Sequence, residues 1–130
     1  MIINKDKLLE LSACESGYKN FIKYHTNFSG SVAESLALSD VPYSDKIWLI
    51  KNVVSKDIYN QWTTDCLQYI VNNYEEAYLN GEKLRGQLNI ALNNVSTDLG
   101  RQSAEAFRDL VCSDYPAQEN INLNLLINLL

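Results

Sequence analysis

The stretch from Lys56 to Asn80 constrains the fold most. In it Ile58, Trp62, Cys66, Tyr69, Ile70 and Asn73 recur at spacings of three and four, with no Gly or Pro to interrupt them. That period places one largely apolar stripe along a helix with a polar back. Ser55 stands where an N-cap belongs, and Asn80-Gly81 is a strong stop signal. A helix of this length needs other helices to cover its stripe, and the rest of the chain supplies them. Asn4 predicts a cap for a short helix through Leu11. "SACES" predicts a bend into a second helix ending at His25, and Ser31 opens another to Leu38. Pro42 suits the first turn of a fourth helix carrying Ile47, Trp48, Leu49 and Ile50, since its missing N–H costs nothing there. Beyond Gly81, one helix is predicted from Glu82 to Asn94, with Leu84, Leu88, Ala91 and Leu92 inward. Another is capped by Ser96 or Thr97, with Leu99, Ser103, Phe107, Leu110 and Val111 inward and Arg101, Glu105 and Arg108 outside. Arg101 and Glu105, four apart, are expected to pair on the surface. The reading is an all-α fold, a compact single-domain bundle of about seven or eight helices over residues 1–130.

Charge narrows the partners. The chain carries 11 Lys and Arg against 16 Asp and Glu, a net of −5. Residues 1–65 hold seven Lys and eight acids (net −1), and residues 66–130 hold four Lys or Arg and eight acids (net −4). An acidic half repels phosphate backbones, so direct nucleic-acid binding is not expected. A basic protein partner suits it better. The acidic turn after the longest helix gives the candidate partner-binding residues Glu75, Glu76, Tyr78, Glu82 and Arg85. No stretch reaches the ~18 apolar residues that span a bilayer, and "MIINKDKLLELSAC" lacks the pattern of a secretory signal. A cytoplasmic location without membrane contact is expected.

The groups that could carry chemistry favour structural roles. Cys14, Cys66 and Cys112 are odd in number and widely spaced, which indicates neither a disulfide framework nor a zinc site. A reactive thiol needs a base, a cation or a helix N-terminus beside it. His25, the sole histidine, is eleven residues from Cys14, about 16 Å along a continuous helix. Cys14, Tyr18 and Phe21 follow helical spacing, so Cys14 is expected in the core, as is Cys66. "GEKLRG" spaces two glycines as a phosphate loop does, but Gln87-Leu88 replaces the required Lys and hydroxyl residue. No catalytic residue, metal or cofactor is predicted. The aromatic residues, eight Tyr and two Trp among them, fall on core-facing stripes rather than between basic residues. The tail "INLNLLINLL" is too apolar to stand in water. It reads as strand or helix, and residues 117–130 are expected either to dock on their own domain or to form a homodimer seam.

Ala13, Cys14 and Phe21, then Trp48 and Leu49, then Trp62, Asp65, Cys66 and Tyr74, then Arg85, Ile90 and Ala91 together resemble a group of small helical phage and bacterial proteins of the immunity-protein-like type. The resemblance covers about residues 8–92. The family's turn carries consecutive Asp residues and Arg-Pro-Arg, where this chain has "LNGEKLRG". The resemblance implies a helical fold and a phage or mobile-element setting, to which frequent Asn, Ile, Lys and Tyr also point. The function expected is non-enzymatic: a protein that binds and inhibits a protein target, as an anti-CRISPR or other anti-defence inhibitor or as an immunity protein. The alternative is a phage structural or assembly accessory acting through self-association.

Overall fold

The computed structural model describes residues 1–74 and 82–130, and at positions 82–85 and 87 the helical backbone. The fold is all-α. The described residues form eight helices and no strand, with one isolated bridge between Ile3 and Gly30. They group into two compact units, residues 1–54 and 55–129.

The first unit holds α1 (Lys5–Glu10), α2 (Glu15–His25), α3 (Val32–Leu36) and α4 (Tyr43–Val53). Their starts follow cap chemistry. The Asn4 side chain accepts from the Lys7 N–H at 2.8 Å. Ser31 and Glu34 form a reciprocal capping box, each side chain accepting from the other's backbone at 3.1 Å, which satisfies two donors that a helix start otherwise leaves open. Pro42 is the N-cap of α4 rather than a first-turn residue. The bridge pairs Ile3 N–H with Gly30 O at 2.7 Å and Gly30 N–H with Ile3 O at 3.2 Å. It ties the chain start to the turn before α3 and buries Ile3 with Leu8, Phe21, Leu36, Leu49 and Ile50.

The second unit holds α5 (Lys56–Asn73), α6 (Glu82–Asn93), α7 (Asp98–Asp114) and α8 (Gln118–Ile127). Ser55 caps α5, its hydroxyl accepting from the Ile58 N–H at 3.3 Å. The stripe it buries is Tyr59, Trp62, Thr63, Cys66, Leu67 and Ile70, while Ile58 and Tyr69 are half-buried. The helix ends at Asn73 with Tyr74 as C-cap, shorter than the predicted run to Asn80. The Asn80-Gly81 stop lies outside the described residues. Helices α6 and α7 are joined by four residues, form a helical hairpin and close a core of Leu67, Ile70, Leu88, Ala91, Val95, Ala104 and Val111 with α5. Leu88 and Ala91 face inward as predicted; Leu84 lies outside the described side chains.

The apolar tail is a helix, and it docks. Leu123 and Leu126 of α8 are buried with Gln118 and Asn122. The Trp62 indole N–H donates to Asn122 O at 2.7 Å, and the Tyr74 hydroxyl donates to Gln118 Oε1 at 2.7 Å. Gln118 in turn donates to Asn122 Oδ1 at 2.8 Å, and Asn122 donates to Cys112 Sγ at 3.3 Å. Each polar group that α8 carries inward thus has a partner, the condition under which burying an amide is tolerated.

Candidate protein-docking groove

Helix α7 sits in a different rotation from the predicted one. The sequence stripe puts Leu99, Ser103 and Leu110 in the core; the structure puts them on the surface, with Leu99 76 % and Leu110 48 % exposed. Phe107 is half-buried and Val111 buried. The inward face is instead Gly100, Ala104, Arg108, Val111 and Cys112. Two physical reasons fix this rotation. At the start of α7 the backbone of Asn94 comes so close that a Cβ on residue 100 would stand 1.9 Å from the Asn94 carbonyl oxygen. Only a glycine can occupy that point, so Gly100 must face the hairpin partner.

Two turns on, Arg108 is fully buried rather than outside. Its guanidinium lies over the Trp62 ring at 4.8 Å, donates through Nη1 to the Tyr59 hydroxyl at 3.3 Å and donates through Nε to Asp109 Oδ1 at 3.2 Å. The Tyr59 hydroxyl donates to Glu105 Oε1 at 2.6 Å. A planar, weakly hydrated guanidinium that stacks and donates in a fork can be buried this way. Glu105 is therefore engaged inward. The predicted Arg101–Glu105 pair is replaced by Arg101–Asp98 at 3.4 Å.

With that rotation, α7 shows solvent a row of Leu99, Ser103, Ala106 and Leu110, at steps of four, three and four. Ile90 of α6 stands beside it, 64 % exposed. Together with Phe107, Asn94 and Thr97 these residues line a groove of about 630 Å³ along the hairpin. Large apolar side chains are exposed at Leu99, Leu110 and Ile90, and the small Ser103 and Ala106 lie between the two leucines in the row. Contiguous exposed apolar surface of this kind marks interaction sites in water-exposed proteins.

A second cleft, of about 70 Å³, lies in the first unit among Cys14, Tyr18, Phe21, Trp48 and Leu49. Cys14 is exposed, contrary to the core placement read from its spacing. The reason is local. Ser12 adopts φ 63°, α1 stops at Glu10, and Cys14 becomes the N-cap of α2 instead of a member of its stripe. Its Sγ accepts from the Gly17 N–H at 3.4 Å and lies 3.6 Å from Ser16 Oγ. Those two hydrogen bonds, Ser16's first, hold its thiol below the usual cysteine range. Cys66 is the opposite case and matches its prediction: burial pushes its thiol up to about 12. His25 closes α2 as a polar end residue, its Nε2 2.6 Å from Asp40 Oδ1. Among the described residues no three His, Cys, Asp or Glu gather as a metal site would require, and no helix is long and apolar enough to cross a membrane.

Of the partner-binding residues predicted from sequence, Glu75, Glu76 and Tyr78 lie outside the described residues, and Glu82 and Arg85 are described only as backbone positions at the start of α6. The groove itself was missed. The signal for it is the pair Gly100 and Ala104, small residues one turn apart that mark a close-packing face and so turn the leucines outward. No known protein family, curated protein or solved structure matches this chain.

Proposed function

We propose that this chain is a non-enzymatic phage or mobile-element protein that binds a protein target and blocks it. Its concrete form is an anti-CRISPR or other anti-defence inhibitor, or an immunity protein that neutralises a toxin, acting in the cytoplasm. The observation that carries the reading is the α6–α7 groove, where three large apolar side chains stand exposed, with small ones between the two leucines. Full burial of such a side chain is worth about 1.5–3 kcal/mol; the exposed part of that is forgone here, and a protein partner is the surface that recovers it. The excess of carboxylates in residues 66–130 suits a target with basic surface.

The test is isolation of the intact chain with its target from cells that carry the gene, alongside the variant Leu99→Ser/Leu110→Ser. A defence complex or toxin held by the parent, inhibited by it, and released by the variant supports the proposal. Recovery of virion components, or of the chain bound only to itself, supports the assembly-accessory alternative.

A further inference from the structure

From the groove just described, and resting on the proposal that it receives a protein, we infer that its occupant is a basic amphipathic helix of the partner. Three features define that shape. Leu99 and Leu110 are eleven residues apart, so the row they bound is about 16 Å long, three helical turns. A groove along two packed helices, with small side chains between large ones, accepts the ridge of a third helix. Ser103 and Ala106 are the small side chains here, between Leu99 and Leu110 in the row, and Ile90 lines the groove from α6. An extended strand finds no sheet edge here to pair with, since the described part of the fold has no strand.

Charge supplies the sign. On α7 every exposed charged side chain is a carboxylate: Asp98, Asp109 and Asp114. Asp98 and Asp109 each precede an anchor leucine by one residue, about 100° round the helix, and so edge the row on one side. Asp114 stands one turn beyond Leu110. The cations on α7 are withdrawn: Arg108 is fully buried and Arg101 is mostly covered. Asp98 and Asp109 keep most of their carboxylate surface in solvent while touching these arginines, which leaves acceptor positions for an incoming Lys or Arg. A helix with one leucine-rich face and lysines along its borders matches both the trough and its rim.

Fluorescence anisotropy on the full chain tests this with labelled peptides of about 14 residues, enough for four turns. One has a leucine face bordered by lysines; the second carries Glu in place of Lys; the third has the lysine sequence with a central Pro. The lysine peptide should bind best, by about tenfold or more over each of the others, the factor that 1.4 kcal/mol represents. Its affinity should fall about tenfold with Leu99→Ser or Leu110→Ser, and several-fold with Asp98→Asn/Asp109→Asn or with salt raised to ~0.5 M, where screening acts within a few ångströms. Both leucines are exposed, so these variants stay folded, which circular dichroism verifies. Equal binding of the lysine and glutamate peptides overturns the charge, and unimpaired binding of the proline peptide overturns the helix. Sedimentation showing a parent dimer that Leu99→Ser converts to monomer gives the groove to a second copy and also overturns the inference. If a natural partner is released by Leu99→Ser/Leu110→Ser while the peptides fail to discriminate, the identity of the occupant falls and the docking role stands. If neither partner nor peptide responds to the leucines, both fall.

Discussion

Gly100 offers the sharpest test of how the hairpin is built. Replacing it with Ala places a Cβ 1.9 Å from Asn94 O, 2.5 Å from Asn94 C and 2.7 Å from Asn94 Cβ, where ordinary contact begins at 3.4 Å. Relief needs a retreat of about 1.5 Å, and it must come from the backbone, because no rotamer of Asn94 moves its carbonyl. That carbonyl is pinned by the Thr97 N–H at 2.9 Å and the Thr97 hydroxyl at 2.8 Å, and Thr97 Oγ1 in turn caps α7 at the Gly100 N–H at 3.0 Å. Overpacking of this kind costs about 1–3 kcal/mol or more, and each hydrogen bond broken adds about 1 kcal/mol. The helical preference of Ala returns about 1 kcal/mol. The net expected loss is about 2–4 kcal/mol, or about 10–20 °C in the melting temperature of a unit this size. Gly86→Ala is the control, since its Cβ meets nothing within 4 Å and φ is not positive there; it should gain about 0.5–1 kcal/mol. Thermal unfolding of both variants by circular dichroism measures this. A Gly100→Ala protein as stable as the parent, or Gly86→Ala the less stable of the two, refutes the placement of α7 against α6.

Other outcomes follow from the same structure. Arg108→Ala, which removes the buried donor to the Tyr59 hydroxyl and uncovers Trp62, should cost about 3–5 kcal/mol in chemical denaturation; a loss under 1 kcal/mol contradicts the buried network. In native protein at neutral pH a thiol reagent should label Cys14 quickly and leave Cys66 untouched, because Cys14 is exposed with a lowered thiol pKa and Cys66 is buried with a raised one; mass spectrometry reads the site, and labelling of Cys66 first reverses the assignment. The hydrogen bond from His25 holds the Asp40 carboxyl below its usual range, so its stabilising effect is present above the ordinary carboxylate pKa of about 4 and fades as pH drops through the lower folded value. Asp40→Asn should therefore be less stable than the parent near neutrality and converge with it in strong acid, as paired urea titrations would report. Deleting 118–130 should unfold the second unit or expose its core to a hydrophobic dye, since Leu123, Leu126 and the Trp62 and Tyr74 hydrogen bonds go with it; an equally stable truncated chain contradicts the docking of α8.

Helices were legible in the sequence where local chemistry decides them. The caps at Asn4, Ser31, Ser55 and Thr97 act through side-chain oxygens on N–H groups three residues on, and that signal is local. The core position of Cys66 was equally readable, because Trp62, Cys66 and Ile70 repeat at helical spacing on one long, uninterrupted element. Cys14 was not, because its apparent stripe crosses a helix boundary that Ser12 sets by a positive φ, which few residues of its type adopt. Helix α7 failed for a different reason. Leucine outside and arginine inside reverse the usual hydropathy sorting, and the reversal depends on tertiary partners: Asn94 backbone against Gly100, and Trp62 and Tyr59 around Arg108. Neither contact is visible within α7 itself, yet both together turn Leu99 and Leu110 outward to line the groove.

The claim that this groove is the working surface is tested most directly by site-specific photocross-linking in cells that carry the gene, with a benzophenone amino acid at position 99 or 110 and, as control, at exposed Asp57 on α5. Positions 99 and 110 should join the chain to one and the same partner protein, through a segment bearing Lys or Arg beside apolar residues at helical spacing, while position 57 should not. Cross-links to a partner from position 57, with none from 99 and 110, would contradict it.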